Sequence, residues 1–192
     1  MENSERKALL LDTFDLLKSD YSENGRSLRD IIDKMGKLDF ELAVEMWKYL
    51  IQENPDYLHE TDDFGFGIMF SLTQSNGETK VYNYVYEDAF LKQKIYGESG
   101  GKDDIPLWGI RYFLHNKELD KANELFELAL SNNYSDLSPF DVINYSIPYE
   151  DEKVNKPAFE LIKVWIDRIN NDQERAKLQL RLLDYLDNGI TE

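Results

Sequence analysis

Residues 43–54 read AVEMWKYLIQEN and residues 122–133 read ANELFELALSNN, so the chain makes one statement twice. Trp47 in the first copy stands where Phe126 stands in the second. Half of that interval lands on Tyr86, and a further half-interval lands on Trp165, which sets the four rings 39, 40 and 39 positions apart. The surroundings agree as well. One residue before the rings come Met46, Val85, Leu125 and Val164; four before come Ala43, Tyr82, Ala122 and Leu161; four after come Ile51, Phe90, Leu130 and Ile169. Apolar groups at these offsets share one face of a helix with 3.6 residues per turn. The recurrence therefore predicts successive amphipathic helices, each carrying one bulky ring.

Starts and stops divide the rest of the chain. Ser138-Pro139-Phe140-Asp141 combines a capping serine, a proline for the first helical position and an acid placed to reach back, and so opens a helix. Asp103-Asp104-Ile105-Pro106 and Thr61-Asp62-Asp63 read as two further starts. Asn76-Gly77, Gly97 and Asn188-Gly189 read as stops, because glycine and asparagine accept the left-handed conformation that ends helices. Helices are expected near 4–19, 27–35, 38–53, 61–75, 79–95, 105–115, 118–132, 139–146, 154–170 and 173–187. Residues 66–87 pull the other way. There Asn76-Gly77 joins two runs rich in β-branched and aromatic residues, the pattern of a β-hairpin. Gly65 and Gly67 would each cost a helix about 1 kcal/mol against alanine. The ring register nevertheless places Tyr86 on a helix, with the hairpin as the alternative.

Helix pairs recurring at this spacing resemble an α-solenoid of the HEAT-like or tetratricopeptide-like kind. NKELDKANELFELALSNN, residues 116–133, is most similar to a tetratricopeptide unit, and LDFELAVEMWKYLIQENP, residues 38–55, shares its pattern. The intervals are longer than the usual tetratricopeptide repeat, so a HEAT-like length fits better. The expected fold is all-α, a helical repeat of roughly four to five helix pairs. One domain over 1–192 is expected, with 1–36 as an N-terminal cap and 37–187 as the repeats. The resemblance implies an extended face offered to a protein or peptide.

The chemistry-bearing residues are sparse. The 192 residues include no cysteine, which removes disulfides, thiolate metal sites and a cysteine nucleophile, and fits a reducing, cytoplasmic setting. MENSERKALLLDTF lacks the long apolar run of a signal peptide or membrane span. His59-Glu60-Thr61-Asp62-Asp63 begins like a metalloprotease motif but has aspartate where the second histidine belongs. A solvated helix start explains it better, and His115 falls at an expected helix end. Gly97-Glu98-Ser99-Gly100-Gly101-Lys102-Asp103 differs from a phosphate loop in spacing and ends in an acid where Ser or Thr should meet magnesium. Trp47, Trp108 and Trp165 are expected to fill the core. No enzyme, cofactor or metal is expected.

Charge is the functional clue. Acidic residues number 38 against 22 basic ones, a formal net charge of -16, which repels nucleic acid and anionic membranes and attracts cationic partners. Asp62, Asp63, Asp103, Asp104, Glu150, Asp151 and Glu152 fall between expected helices, where a solenoid would align them as an acidic ridge. Tyr82, Tyr84 and Tyr86 are too many for one buried face, and exposed tyrosine suits protein contact. These acids with Tyr82 and Tyr84 form the expected partner surface. The expected function is an intracellular inhibitor or immunity-type protein, similar in size and charge to toxin-immunity proteins and phage inhibitors of CRISPR nucleases. Its partner would be a basic nucleic-acid enzyme; the alternative is a helical-repeat adaptor holding a peptide or partner helix.

Overall fold

The structure, a computed structural model, describes residues 2–54, 65–98, 105–131, 138–147 and 155–187. It divides into two compact units, Met1–Lys92 and Gln93–Glu192. Among the described residues every regular element is helical and no β-strand occurs.

The first unit holds α1 (Asn3–Leu17), α2 (Tyr21–Gly36), α3 (Phe40–Glu53), α4 (Phe66–Asn76), α5 (Glu78–Glu87) and the short α6 (Ala89–Leu91). Helix α2 lies at its centre and packs on α1, α3 and α4. Its apolar stripe of Leu28, Ile31, Ile32 and Met35 explains that place, since i, i+3, i+4, i+7 residues need cover from more than one neighbour. The Asp39 side chain accepts from the Leu42 N–H at 3.2 Å and so caps α3. On α3, Ala43, Met46, Trp47, Leu50 and Ile51 are buried, the stripe that the ring register predicts.

Residues 66–87 form two helices, not the hairpin. Gly77 takes a φ of 87° and turns the chain between α4 and α5, so the Asn-Gly step ends a helix instead of closing a ribbon. Buried Ile68, Met69 and Leu72 on α4 and Val81 and Val85 on α5 outweigh the local β propensity. The register slips here. Val81 and Val85 go to the core, while Tyr82 and Tyr86 stay half-buried on the flank. The expected helix 79–95 also breaks at Asp88, whose backbone is extended and whose carboxylate caps the next turn through the Leu91 N–H at 2.9 Å. A π-helix, Lys92–Glu98, follows.

The second unit contains α7 (Ile105–His115), α8 (Leu119–Ser131), α9 (Pro139–Ser146), α10 (Lys156–Asp167) and α11 (Asp172–Asp187). Eight-residue α9 touches α7, α8, α10 and α11, which makes it the hub of this unit. Its start follows the sequence: the Asp141 N–H donates to Ser138 Oγ at 3.2 Å, and the Ser138 N–H donates back to Asp141 Oδ2 at 2.9 Å. Phe126 of α8 and Trp165 of α10 are buried and stack, with centroids 4.2 Å apart and planes 10° from parallel. Trp165 Nε1–H donates to Asn123 Oδ1 at 2.9 Å, which satisfies the indole in the core.

Two expectations about the core need correction. Trp108 is 45% exposed, because α7 turns Ile110, Phe113 and Leu114 inward and puts Trp108 on the opposite side with Arg111, whose guanidinium lies 6.0 Å from its ring centroid. Val164 is 59% exposed, because the buried stripe of α10 runs through Ala158, Ile162, Trp165 and Ile166. Helix α2 also begins six residues before the expected 27, and Gly25 within that added turn is buried. Ring burial thus recurs at Trp47, Phe126 and Trp165, and not at Tyr86.

Candidate functional site

Of the expected partner surface, Asp62, Asp63, Asp103, Asp104, Glu150, Asp151 and Glu152 lie outside the described residues, as does His59. Tyr82 and Tyr84 are described, and α5 separates them. Tyr82 shares a flank with Tyr86, four residues on, whereas Tyr84 turns to α3 and meets the Phe40 ring edge-on at 5.2 Å. Burial raises the Tyr84 phenol pKa above its ordinary value, and the Glu41 carboxylate beside it, hydrogen-bonded to the phenol, adds to the rise. Tyr84 is therefore held between two helices and is a packing residue on one side.

A polar seam runs beside it. Lys48 Nζ donates to Asp88 Oδ2 at 2.8 Å and to Glu45 Oε1 at 3.3 Å. Burial pushes the Asp88 carboxyl upward, but Lys48 and the Leu91 N–H outweigh it and hold the group below its usual range. The Lys48 ammonium is raised in return, chiefly through its hydrogen bond to Asp88. Lys7 Nζ bonds Asp39 Oδ2 at 2.8 Å, and that bond, with the Leu42 N–H, lowers the Asp39 carboxyl.

Other basic side chains are paired in each unit. Lys37 pairs with Asp33, Lys121 with Glu118, Lys163 with Glu160, and Arg168 with Glu127. Lys80 lies 4.0 Å from the Phe40 centroid, and Lys92 4.0 Å from that of Tyr86. Arg181 reaches Asn144 Oδ1 at 2.6 Å and the Ile147 carbonyl at 3.3 Å. Individually such exposed pairs stabilise by less than about 1 kcal/mol. Their consequence is electrostatic: cations are neutralised locally, and the surplus of 38 acids over 22 bases is left to set the outward field.

One concave feature lies in the second unit. Between α10 and α11 a cleft of about 290 Å³ is lined by Phe159, Lys163, Ile166, Asp167, Gln179, Leu182 and Leu183. Sequence reasoning passed over it, although LQLRLLDYL carried the signal: leucines at 178, 180, 182, 183 and 186 go further round a helix than one buried stripe requires. Leu178 and Leu182 are buried, while Leu180 and Leu183 are exposed by 63% and 52%.

Among the described residues no group of three His, Asp or Glu side chains is arranged to hold a metal ion, and no helix is long and apolar enough to cross a membrane. Among the described residues the fold is all-helical, and the sequence carries 38 acidic against 22 basic residues. No family profile, curated protein or solved structure matches the chain.

Proposed function

We propose that this protein is a non-enzymatic acidic binding module, an inhibitor or immunity-type protein that docks its carboxylates on the basic groove of a nucleic-acid enzyme. One observation carries the reading. Lysines and arginines such as Lys48, Lys80, Lys92 and Arg168 are held on neighbouring carboxylates and aromatic faces, while the sequence as a whole carries a formal net charge of -16, so carboxylates remain in excess of cations. A surface of that kind imitates the charge of a nucleic-acid backbone, competes for sites meant for phosphates and accelerates encounter by steering. The HEAT-like or tetratricopeptide-like arrangement of helix pairs would serve as the rigid scaffold that holds the carboxylates apart.

The test is capture of a partner on immobilised protein, followed by a salt step. Between about 0.1 M and about 1 M salt the screening length falls from about 10 Å to about 3 Å, and a partner held by charge should elute. Duplex DNA should displace it at low salt, and adding the protein should suppress the partner's activity on nucleic acid. A partner retained through the salt step, with unchanged activity, would overturn the reading. The α10–α11 cleft favours a second function, an adaptor that holds a partner helix by apolar contact.

A further inference from the structure

We infer that Asn76-Gly77 is a site of self-modification, where Asn76 slowly becomes aspartate or isoaspartate in the folded protein, gated by one backbone hydrogen bond. This chemistry is independent of the acidic surface and needs only water besides the chain. The Gly77 backbone nitrogen attacks Asn76 Cγ and gives up its proton to solvent, the Cγ–Nδ2 bond breaks, and the amide nitrogen leaves as ammonia. Water then opens the cyclic imide at Cγ, which leaves aspartate, or at the backbone carbonyl, which leaves isoaspartate. Glycine permits the attack because it has no Cβ to crowd the closing ring.

Asn24-Gly25 offers the same step, and position in the fold separates the two; Asn188-Gly189 lies outside the described residues. Asn24 lies in the body of α2. Its N–H and its Nδ2 both donate to the Asp20 carbonyl, at 3.1 Å and 2.8 Å, and Gly25 is buried, so ring closure waits until α2 unwinds. Asn76 is the last residue of α4, and Gly77 beyond it is exposed, with nothing within 4 Å of where a Cβ would stand. The Gly77 N–H donates to the Thr73 carbonyl at 2.8 Å, and Asn76 Nδ2 donates to Ser75 Oγ at 2.9 Å. Attack requires that backbone bond to open and Asn76 to leave the helical ψ, which is the fraying of a final turn.

The product alters a helix contact. A Cβ added at Gly36, the last residue of α2, would stand 3.3 Å from Asn76 Nδ2, so the amide lies where the C-termini of α2 and α4 meet. Both ends carry the partial negative charge of a helix dipole, which suits an amide donor and repels a carboxylate. Lys37, which caps α2, is already paired with Asp33 at 2.6 Å. Conversion of Asn76 therefore loosens α4 from α2.

The experiment holds the full-length chain at mildly basic pH, folded in one sample and unfolded by urea in the other, while peptide mapping by mass spectrometry follows Asn24 and Asn76 separately. In urea the two should convert at similar rates. In the folded protein Asn76 should convert about fivefold more slowly than in urea, the effect of one ordinary hydrogen bond that must open first. It should also convert more than about tenfold faster than folded Asn24, because opening a helix body is harder than fraying a helix end. Equal rates at the two residues in the folded protein, no slowing of Asn76 by folding, or an Asn76 that keeps its amide while the unfolded chain converts fully would overturn the site. Asn76→Asp supplies the aspartate product directly. Its urea midpoint should fall below wild type's, and by less at about 1 M salt, where the screening length shrinks to about 3 Å. An unchanged midpoint overturns the effect on the α2 contact.

Discussion

Asn155 joins two helices with one amide, and replacing it tests how the second unit is assembled. Its Oδ1 accepts from the Ala158 N–H at 3.0 Å, which caps α10, and its Nδ2 donates to the Leu114 carbonyl at the end of α7 at 2.9 Å. The side chain is buried, so neither bond has water as a ready substitute. Losing a cap costs about 1 kcal/mol. The Leu114 carbonyl also accepts the Lys117 N–H at 3.2 Å, so it would not be stranded. The bridge therefore counts as one ordinary hydrogen bond, about 1 kcal/mol. Asn155→Ala should destabilise the second unit by about 2 kcal/mol. Asn155→Ser, whose hydroxyl can cap but is too short to reach Leu114, should cost about half as much. Urea denaturation followed by tryptophan fluorescence measures both, since Trp165 is buried on the same helix. A serine variant as unstable as the alanine variant would refute the cap, and one as stable as wild type would refute the bridge.

Three further outcomes are expected. Lys117 has a φ of 63° and closes α7 through the paired bonds Lys117 N–H to Leu114 O and Glu118 N–H to Phe113 O, so Lys117→Gly should stabilise by about 1 kcal/mol in the same urea assay. Gly109→Ala should do the reverse. Its new methyl would stand 2.7 Å from Cε1 of the buried Tyr96 ring, and overpacking of about 1–3 kcal/mol exceeds the roughly 1 kcal/mol gained in helix propensity, so a stabilised variant would disprove the contact. The depressed carboxyls of Asp39 and Asp88 contribute stability that is present above their unfolded pKa of about 3.9 and is lost as pH falls through the lower folded values. Asp88→Asn, which keeps a capping oxygen but not the Lys48 ion pair, should cost less than about 1 kcal/mol at neutral pH. Its urea midpoint should also change less than wild type's on acidification below about pH 4.

Helical identity was legible along the chain because it is a local matter of period, caps and stops. The Ser138/Asp141 capping box, the span Ile105–His115 and the stop at Asn76-Gly77 all appear where short-range chemistry put them. Local signals also carried the wrong weight in places. The same Asn-Gly pair reads equally as hairpin and helix end, and only the burial of Ile68, Leu72, Val81 and Val85 decides between them. Asp88 was hidden within an unbroken periodic run, because its capping bond to Leu91 and its ion pair with Lys48, forty residues away, make sense only once α3 lies alongside.

What the amino-acid order determined by itself is the helical type of most described segments and the sign of the net charge, since propensity, capping and formal charge depend on a residue and its near neighbours. The tertiary structure decided which side of each helix faces in. It buried Trp47 and Trp165, left Trp108 and Val164 outside, seated Lys48 on Asp88, Lys80 on the Phe40 ring and Arg168 on Glu127, and opened the cleft beside Leu182 and Leu183. Those outcomes depend on contacts between residues distant in sequence, and a stripe of apolar side chains wider than one neighbour can cover does not state which part will remain exposed.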